Sequence, residues 1–147
     1  MEIELTSGYG VLQSNINGEL QTITIDKIIE LTRNPYEVVK NTAHWFMASS
    51  LKSRSLKDQK NDGVFRIIWC DIDQDPPMLE KLCETLEQII GDNDYIAFTT
   101  KSATKDNQKS RAIIPLAEAL QYKEWLLAQR SLNDALEAYG IIADRCS

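Results

Sequence analysis

Apolar and polar positions along the chain change period several times, and those changes divide it into segments. Residues Glu2–Gly10, "EIELTSGYG", alternate apolar with polar and finish in glycines, which predicts an edge strand followed by a turn. Ile28, Ile29 and Leu31 fit one short helix, capped by Thr24 or Asp26 and ended by Asn34-Pro35. Tyr36, Val39, Ala43, Phe46 and Met47 recur at helical spacing up to about Leu51, which places His44 within that helix. The stretch "KSRSLKDQKNDG" has no apolar period and carries Lys52, Arg54, Lys57 and Lys60 against Asp58 and Asp62. It reads as an exposed basic loop.

The second half is more regular. Val64–Asp73 predicts a strand, Pro76–Ile90 a helix with Leu79, Leu82, Leu86 and Ile89 on one face, and Tyr95–Lys101 a second strand. The polar loop "SATKDNQKS" leads to a short strand at Arg111–Pro115, and a helix covers roughly Gln121–Tyr139. This order predicts an α+β fold in which helices pack on a mixed β-sheet. No repeat or Gly/Ser linker divides residues 1–147, so one domain is expected, with residues 1–62 as an amino-terminal part and 63–147 as the core-like part.

Composition narrows the classes. The chain has 147 residues, 43% of them hydrophobic and 26% charged, which is globular rather than disordered. Neither a membrane span nor a signal peptide is legible, and three widely spaced cysteines, Cys70, Cys83 and Cys146, fit a reducing cytoplasm. A formal charge of −6 argues against a simple module that grips nucleic acid by phosphate neutralisation alone. His44 is the single histidine, which excludes a two-histidine metal site and leaves no serine–histidine triad. Gly8 and Gly10 form no phosphate loop, because no Gly-Lys-Ser or Gly-Lys-Thr follows them.

The candidate chemistry begins where the apolar run "FRIIWCDIDQDPP" ends in Asp71, Asp73 and Asp75. Asp75 before Pro76 fits a helix N-cap. Asp71 and Asp73, two apart on a strand, share one side, and their repulsion is relieved by a cation or a basic side chain. Hard carboxylate oxygens suit Mg²⁺ or Mn²⁺; turn acids are the plain alternative. The second constellation is Phe98–Leu120, where Lys101, Lys105, Lys109 and Arg111 lie among Thr99, Thr100, Ser102 and Thr104. Such groups can hold a triphosphate, although a solvated hairpin has the same composition.

The order "WCDID", helix, "FTTKSAT..NQKSRAIIPLAEAL", helix, "GIIADR" resembles the primase-polymerase-like replication proteins of phages and prophages, within the archaeo-eukaryotic primase superfamily. The resemblance covers roughly Val64 to Arg145, and Thr99–Leu120 is its most specific block. It implies a primase-polymerase catalytic core with metal-dependent nucleotidyl transfer in DNA replication. Asp71, Asp73 and Asp144 would be the catalytic metal ligands for Mg²⁺ or Mn²⁺. Lys101, Ser102 and Arg111 would bind the nucleotide, with Lys101-Ser102 standing where the superfamily commonly has a histidine. The implied partners are nucleoside triphosphates, single-stranded or primed nucleic acid, and a fused or partner helicase, with no membrane. Relatives continue past the position of Ser147, which implies a carboxy-terminally truncated core. Asp144, three residues from the end, is expected to fray. The alternative is a catalytically silent nucleic-acid or protein interaction module on the same scaffold.

Overall fold

The computed structural model describes residues 3–9, 20–33, 44–100 and 103–145. The elements in chain order are β1 (Glu4–Tyr9), β2 (Gln21–Thr24), α1 (Ile25–Arg33), β3 (His44–Phe46), α2 (Leu56–Asp62), β4 (Phe65–Ile72), α3 (Leu79–Ile90), β5 (Ile96–Thr99), β6 (Ser110–Leu120) and α4 (Tyr122–Ala138). The fold is α+β. In place of one mixed sheet, the described residues form two antiparallel sheets of three strands, ordered β2-β1-β3 and β4-β6-β5. Among the described residues no helix is long and apolar enough to cross a membrane.

Contacts divide the chain into two compact units that share β4, β6 and α4 between them: residues 1–67 with 116–125, and residues 68–115 with 126–147. In the first unit β1 is the central strand, paired with β2 from Glu4↔Thr24 and with β3 from Ser7↔Phe46. The sequence predicts an edge there, but Leu5, Thr6 and Ser7 are all buried. Alternation along a strand reports which side chains are covered and says nothing of how many neighbours pair with its backbone.

Two further expectations fail in this unit. His44–Phe46 is extended rather than helical, and residues 34–43 of that expected helix lie outside the described residues. The segment read as a basic loop holds α2, which begins at the N-cap Ser55, whose Oγ accepts from the Asp58 N–H at 3.3 Å. Its inner face is held by polarity: buried Gln59 donates through Nε2 to the carbonyls of Leu51 at 3.0 Å and Ser53 at 2.6 Å. Ahead of α1, by contrast, Thr24 behaves as expected and accepts from the Lys27 N–H at 3.1 Å. Phe65 stacks on Trp125 with ring centroids 4.5 Å apart, and the Trp125 indole N–H donates to the Ile67 carbonyl at 2.8 Å.

The second unit has a continuous apolar core. Cys70 and Ile72 of β4, Leu82 and Leu86 of α3, Ala112 and Ile114 of β6, and Leu132 and Leu136 of α4 pack with Ile141 and Ala143. Helix α3 starts three residues later than its sequence predicts, with Met78 at the N-cap and no side-chain cap of its own. Asp75 is therefore not the cap; it takes a left-handed φ of 48° in the turn before the helix. The Leu79 N–H is satisfied from a distance, donating to Gln108 Oε1 at 2.8 Å. β5 and β6 pair from Ile96↔Ile113 to Thr99↔Ser110, and β6 runs on past Pro115 to Leu120. Pro115 lies beyond the last β5 partner, where a missing N–H breaks no bond of that ladder.

Candidate functional site

β4 lies at one side of the β4-β6-β5 sheet. Its outward backbone groups therefore need partners from outside the sheet. Within the second unit, α4 and the segment after it supply them. The Trp69 N–H donates to Gln129 Oε1 at 3.1 Å, and Gln129 Nε2 donates back to the Trp69 carbonyl. Two residues further on, the Asp144 N–H donates to the Asp71 carbonyl at 2.8 Å. The side-chain amide of Gln129 thus stands in for a strand, and Asp144 is placed beside Asp71 by its backbone.

The path from α4 to Asp144 follows from one glycine. Gly140 has φ 82°, the Gly140 N–H donates to the Glu137 carbonyl at 2.9 Å, and the Ile141 N–H donates to the Leu136 carbonyl at 3.0 Å. This is the Schellman helix ending, including its apolar contact, since Leu136 and Ile141 are both core residues. Arg145 then reaches back to Asp134 at 2.7 Å and Glu137 at 3.0 Å, and the Asp134 carboxylate chiefly pushes its pKa upward. The fraying expected of Asp144 is corrected accordingly. Ile141 and Ala143 are buried, and their apolar contacts tie the segment down more strongly than the exposed ion pairs do.

Asp71, at the penultimate position of β4, meets Arg111 near the start of β6. Arg111 Nε donates to Asp71 Oδ1 at 2.5 Å and Nη2 to Oδ2 at 3.1 Å, a two-point fork in which both carboxylate oxygens accept. The side chains are 18% and 33% exposed, and Arg111 Cζ lies 5.4 Å from the centroid of the Trp69 ring. Between Trp69 and Asp71 in sequence, Cys70 turns into the core, where burial pushes its thiol pKa up to about 12. It is therefore an un-ionised core group at neutral pH.

Of the six residues singled out from the sequence, Asp71 and Arg111 thus meet through their side chains, and Asp144 is joined to Asp71 through the backbone with its side chain exposed. Asp73 follows one residue past the end of β4 and is exposed. Lys101 and Ser102 lie outside the described residues. Beyond them, Thr104 and Asn107 close a tight turn with Lys105 and Asp106 exposed at its tip, so Lys105 is a solvated loop cation and Arg111 a strand-borne one. Among the described residues no three His, Cys, Asp or Glu side chains form a group able to hold a metal ion. Mg²⁺ commonly takes one or two carboxylates and draws its other ligands from water and substrate phosphate. By donor chemistry, Asp71 with Asp73 is the pair that suits it.

Sequence reasoning missed Gln129. Its only signal is a polar residue on the α4 face that also carries Trp125 and Leu132, the side that packs inward. No protein-family model matches this chain, and neither a curated protein nor a solved structure does.

Proposed function

We propose that the chain is the catalytic core of a primase-polymerase-type replication protein of a phage or prophage, acting in the cytoplasm on nucleoside triphosphates and single-stranded or primed DNA. The observation that carries this reading is the side-chain pairing of Asp71 with Arg111 at the end of β4, where the backbone of Asp144 is also bound. Each had been singled out for a share of one phosphoryl-transfer site. Of the expected fold the α+β class is observed, with antiparallel sheets in place of the mixed one.

In this reading Asp71 and Asp73 would hold Mg²⁺ or Mn²⁺, with Asp144 as the third acid. When bound, the cation supplies charge neutralisation on the triphosphate and a more acidic 3′-hydroxyl. The chain's own residues do the positioning. Arg111 presents two parallel N–H groups, a geometry suited to phosphate oxygens. The Trp69 ring beside it keeps one side of the guanidinium out of bulk water. Lys101 and Ser102 would complete the phosphate contacts, and a helicase, fused or separate, would present the template.

A second reading, a catalytically silent interaction module, is favoured by one specific feature: both Asp71 oxygens are already taken by Arg111. The two readings separate in an assay of labelled deoxynucleotide incorporation on primed DNA with Mn²⁺. The catalytic reading expects incorporation by the wild type that falls by about a hundred-fold or more in Asp71→Asn, as when a group that stabilises transition-state charge is removed. Wild-type incorporation no greater than that of the variant favours the silent module.

A further inference from the structure

We propose that the basic segment Leu51–Asp62 is a landing face for single-stranded DNA, with phosphates along Lys57 and Lys60 and a base on the ring of Tyr122. The inference goes beyond the nucleotidyl-transfer reading. It puts a separate contact in the first unit, and it holds whether or not the Asp71 centre is catalytic.

Charge comes first. The chain carries a formal −6, yet Leu51–Asp62 sets four cations, Lys52, Arg54, Lys57 and Lys60, against Asp58 and Asp62. An acidic protein meets a polyanion through a local excess of this kind. Asp58 is drawn toward the start of α2, where its carboxylate accepts from Ser53 Oγ at 2.7 Å. Among the described residues Lys52, Lys57 and Lys60 form no ion pair, and all three are exposed.

Support comes second. Lys57 and Lys60 are three apart on α2 and share one side of it. The helix is firmly seated: Gln59 is buried with two hydrogen bonds to backbone carbonyls, and a Cβ at Gly63 would run into the Gln59 carbonyl and the Phe65 ring. Cations on a fixed element lose less freedom when a ligand arrives.

The third observation is what sits under Lys60. Its Nζ lies 5.7 Å from the centroid of the Tyr122 ring. That ring is half-buried, with the Phe65 and Trp125 centroids 5.9 and 6.0 Å away. A carboxylate would position an ammonium by neutralising it, whereas a π-face positions it and leaves its charge whole. Arg54 also lies over a ring, 4.6 Å from the centroid of Trp45. Cations interleaved with aromatic rings suit a single strand, whose phosphates take the charge and whose unpaired bases stack. On binding, Lys60 turns to a phosphate and a base takes its place on Tyr122. Duplex bases already stack on each other, and a bilayer offers no base, so the ring favours the single strand over either.

The test is fluorescence anisotropy with a labelled oligothymidylate of roughly a dozen nucleotides, within the site sizes of single-strand binders. The full chain should bind it with a Kd of about 100 µM or tighter. Lys57→Gln/Lys60→Gln removes two phosphate contacts, so the slope of log K against log salt should shrink by about 1.4 and affinity by about 25-fold at roughly 0.1 M salt. Tyr122→Leu should weaken binding about ten-fold at an unchanged salt slope, because stacking releases no counterions, and Tyr122→Phe should bind like wild type. Should Tyr122→Leu fail to fold, the lysine pair on the surface decides alone. Lys81→Gln, an exposed cation on α3, and Asp71→Asn should each stay within about two-fold of wild type.

No oligothymidylate binding by wild type overturns the landing face, as does a double lysine variant that loses no more than Lys81→Gln. Equal affinity for a duplex of the same length removes the role of Tyr122 and overturns the single-strand assignment. Retention on phosphatidylserine vesicles in place of oligonucleotide binding would make the segment a membrane contact and overturn it too. Binding lost in Asp71→Asn would move the strand to the other centre. The incorporation assay on Asp71 is read separately, so the catalytic reading and the landing face fail independently.

Discussion

Replacing Gln129 with leucine tests how the site strand is held. Leucine is close to glutamine in size and at least as good a helix former, so α4 itself should be unaffected. What disappears is the pair of hydrogen bonds between the Gln129 amide and the Trp69 backbone. Gln129 is 8% exposed, so water cannot readily take its place. Each buried backbone group left without a partner costs about 1–3 kcal/mol. Two such groups set the scale, and removing the amide's own desolvation offsets part of it, leaving an expected loss of about 2–3 kcal/mol. For a chain of this size that is a fall in Tm of about 5–10 °C. Urea unfolding followed by tryptophan fluorescence should show the midpoint drop with an unchanged slope. Because Asp71 lies two residues along the same strand, the variant should also bind the manganese–tripolyphosphate complex more weakly. A stability loss below about 0.5 kcal/mol, the range of an ordinary surface substitution, would refute the claim that Gln129 serves as the missing neighbour of β4.

Two other outcomes follow from single positions. Gly140→Ala should destabilise by about 1–2 kcal/mol, the cost of a left-handed residue with a Cβ; a Cβ there meets nothing within 4 Å, so backbone strain is the whole effect, and Gly140→Asn should recover part of it. Chemical denaturation of both variants checks this, and equal stability of all three proteins counts against the Schellman turn. For Cys70, burial raises the folded-state pKa from 9.0 to about 12, so the folded state holds its proton more tightly than the unfolded chain. Its contribution is fully present below about pH 9 and is lost as pH rises toward 12. Wild type should therefore lose stability more steeply than Cys70→Ala between pH 9 and 11, and parallel curves would show that the thiol is not buried as described.

Much of the second unit was legible because its elements bury apolar faces at clear periods. Leu82 and Leu86, picked from a helical stripe, are fully buried, and the apolar run that ends in Asp71 is a strand. α2 was invisible for the opposite reason: its inward residue is Gln59, held by hydrogen bonds to Leu51 and Ser53, and no apolar stripe marks it. His44–Phe46 shows the converse error, since apolar spacing compatible with a helix also fits a three-residue strand paired to β1. Asp75 carried a sound capping signal, yet Gln108 satisfies the helix start from 29 residues away, a partner no local pattern can reveal. The site divides in the same way. Asp71 stood out as charge at the end of an apolar strand, whereas its pairing with Arg111, 40 residues on, had only family resemblance to suggest it.

The most direct measurement is paramagnetic broadening of backbone amide resonances on adding the manganese–triphosphate complex. If Asp71, Asp73 and Arg111 form the working centre, broadening should fall first and most strongly on the amides of Asp71–Asp73, Arg111 and Asp144, and should vanish in Asp71→Asn. Broadening centred elsewhere, along α2 or α3 for example, or surviving in Asp71→Asn, would contradict the assignment of the site.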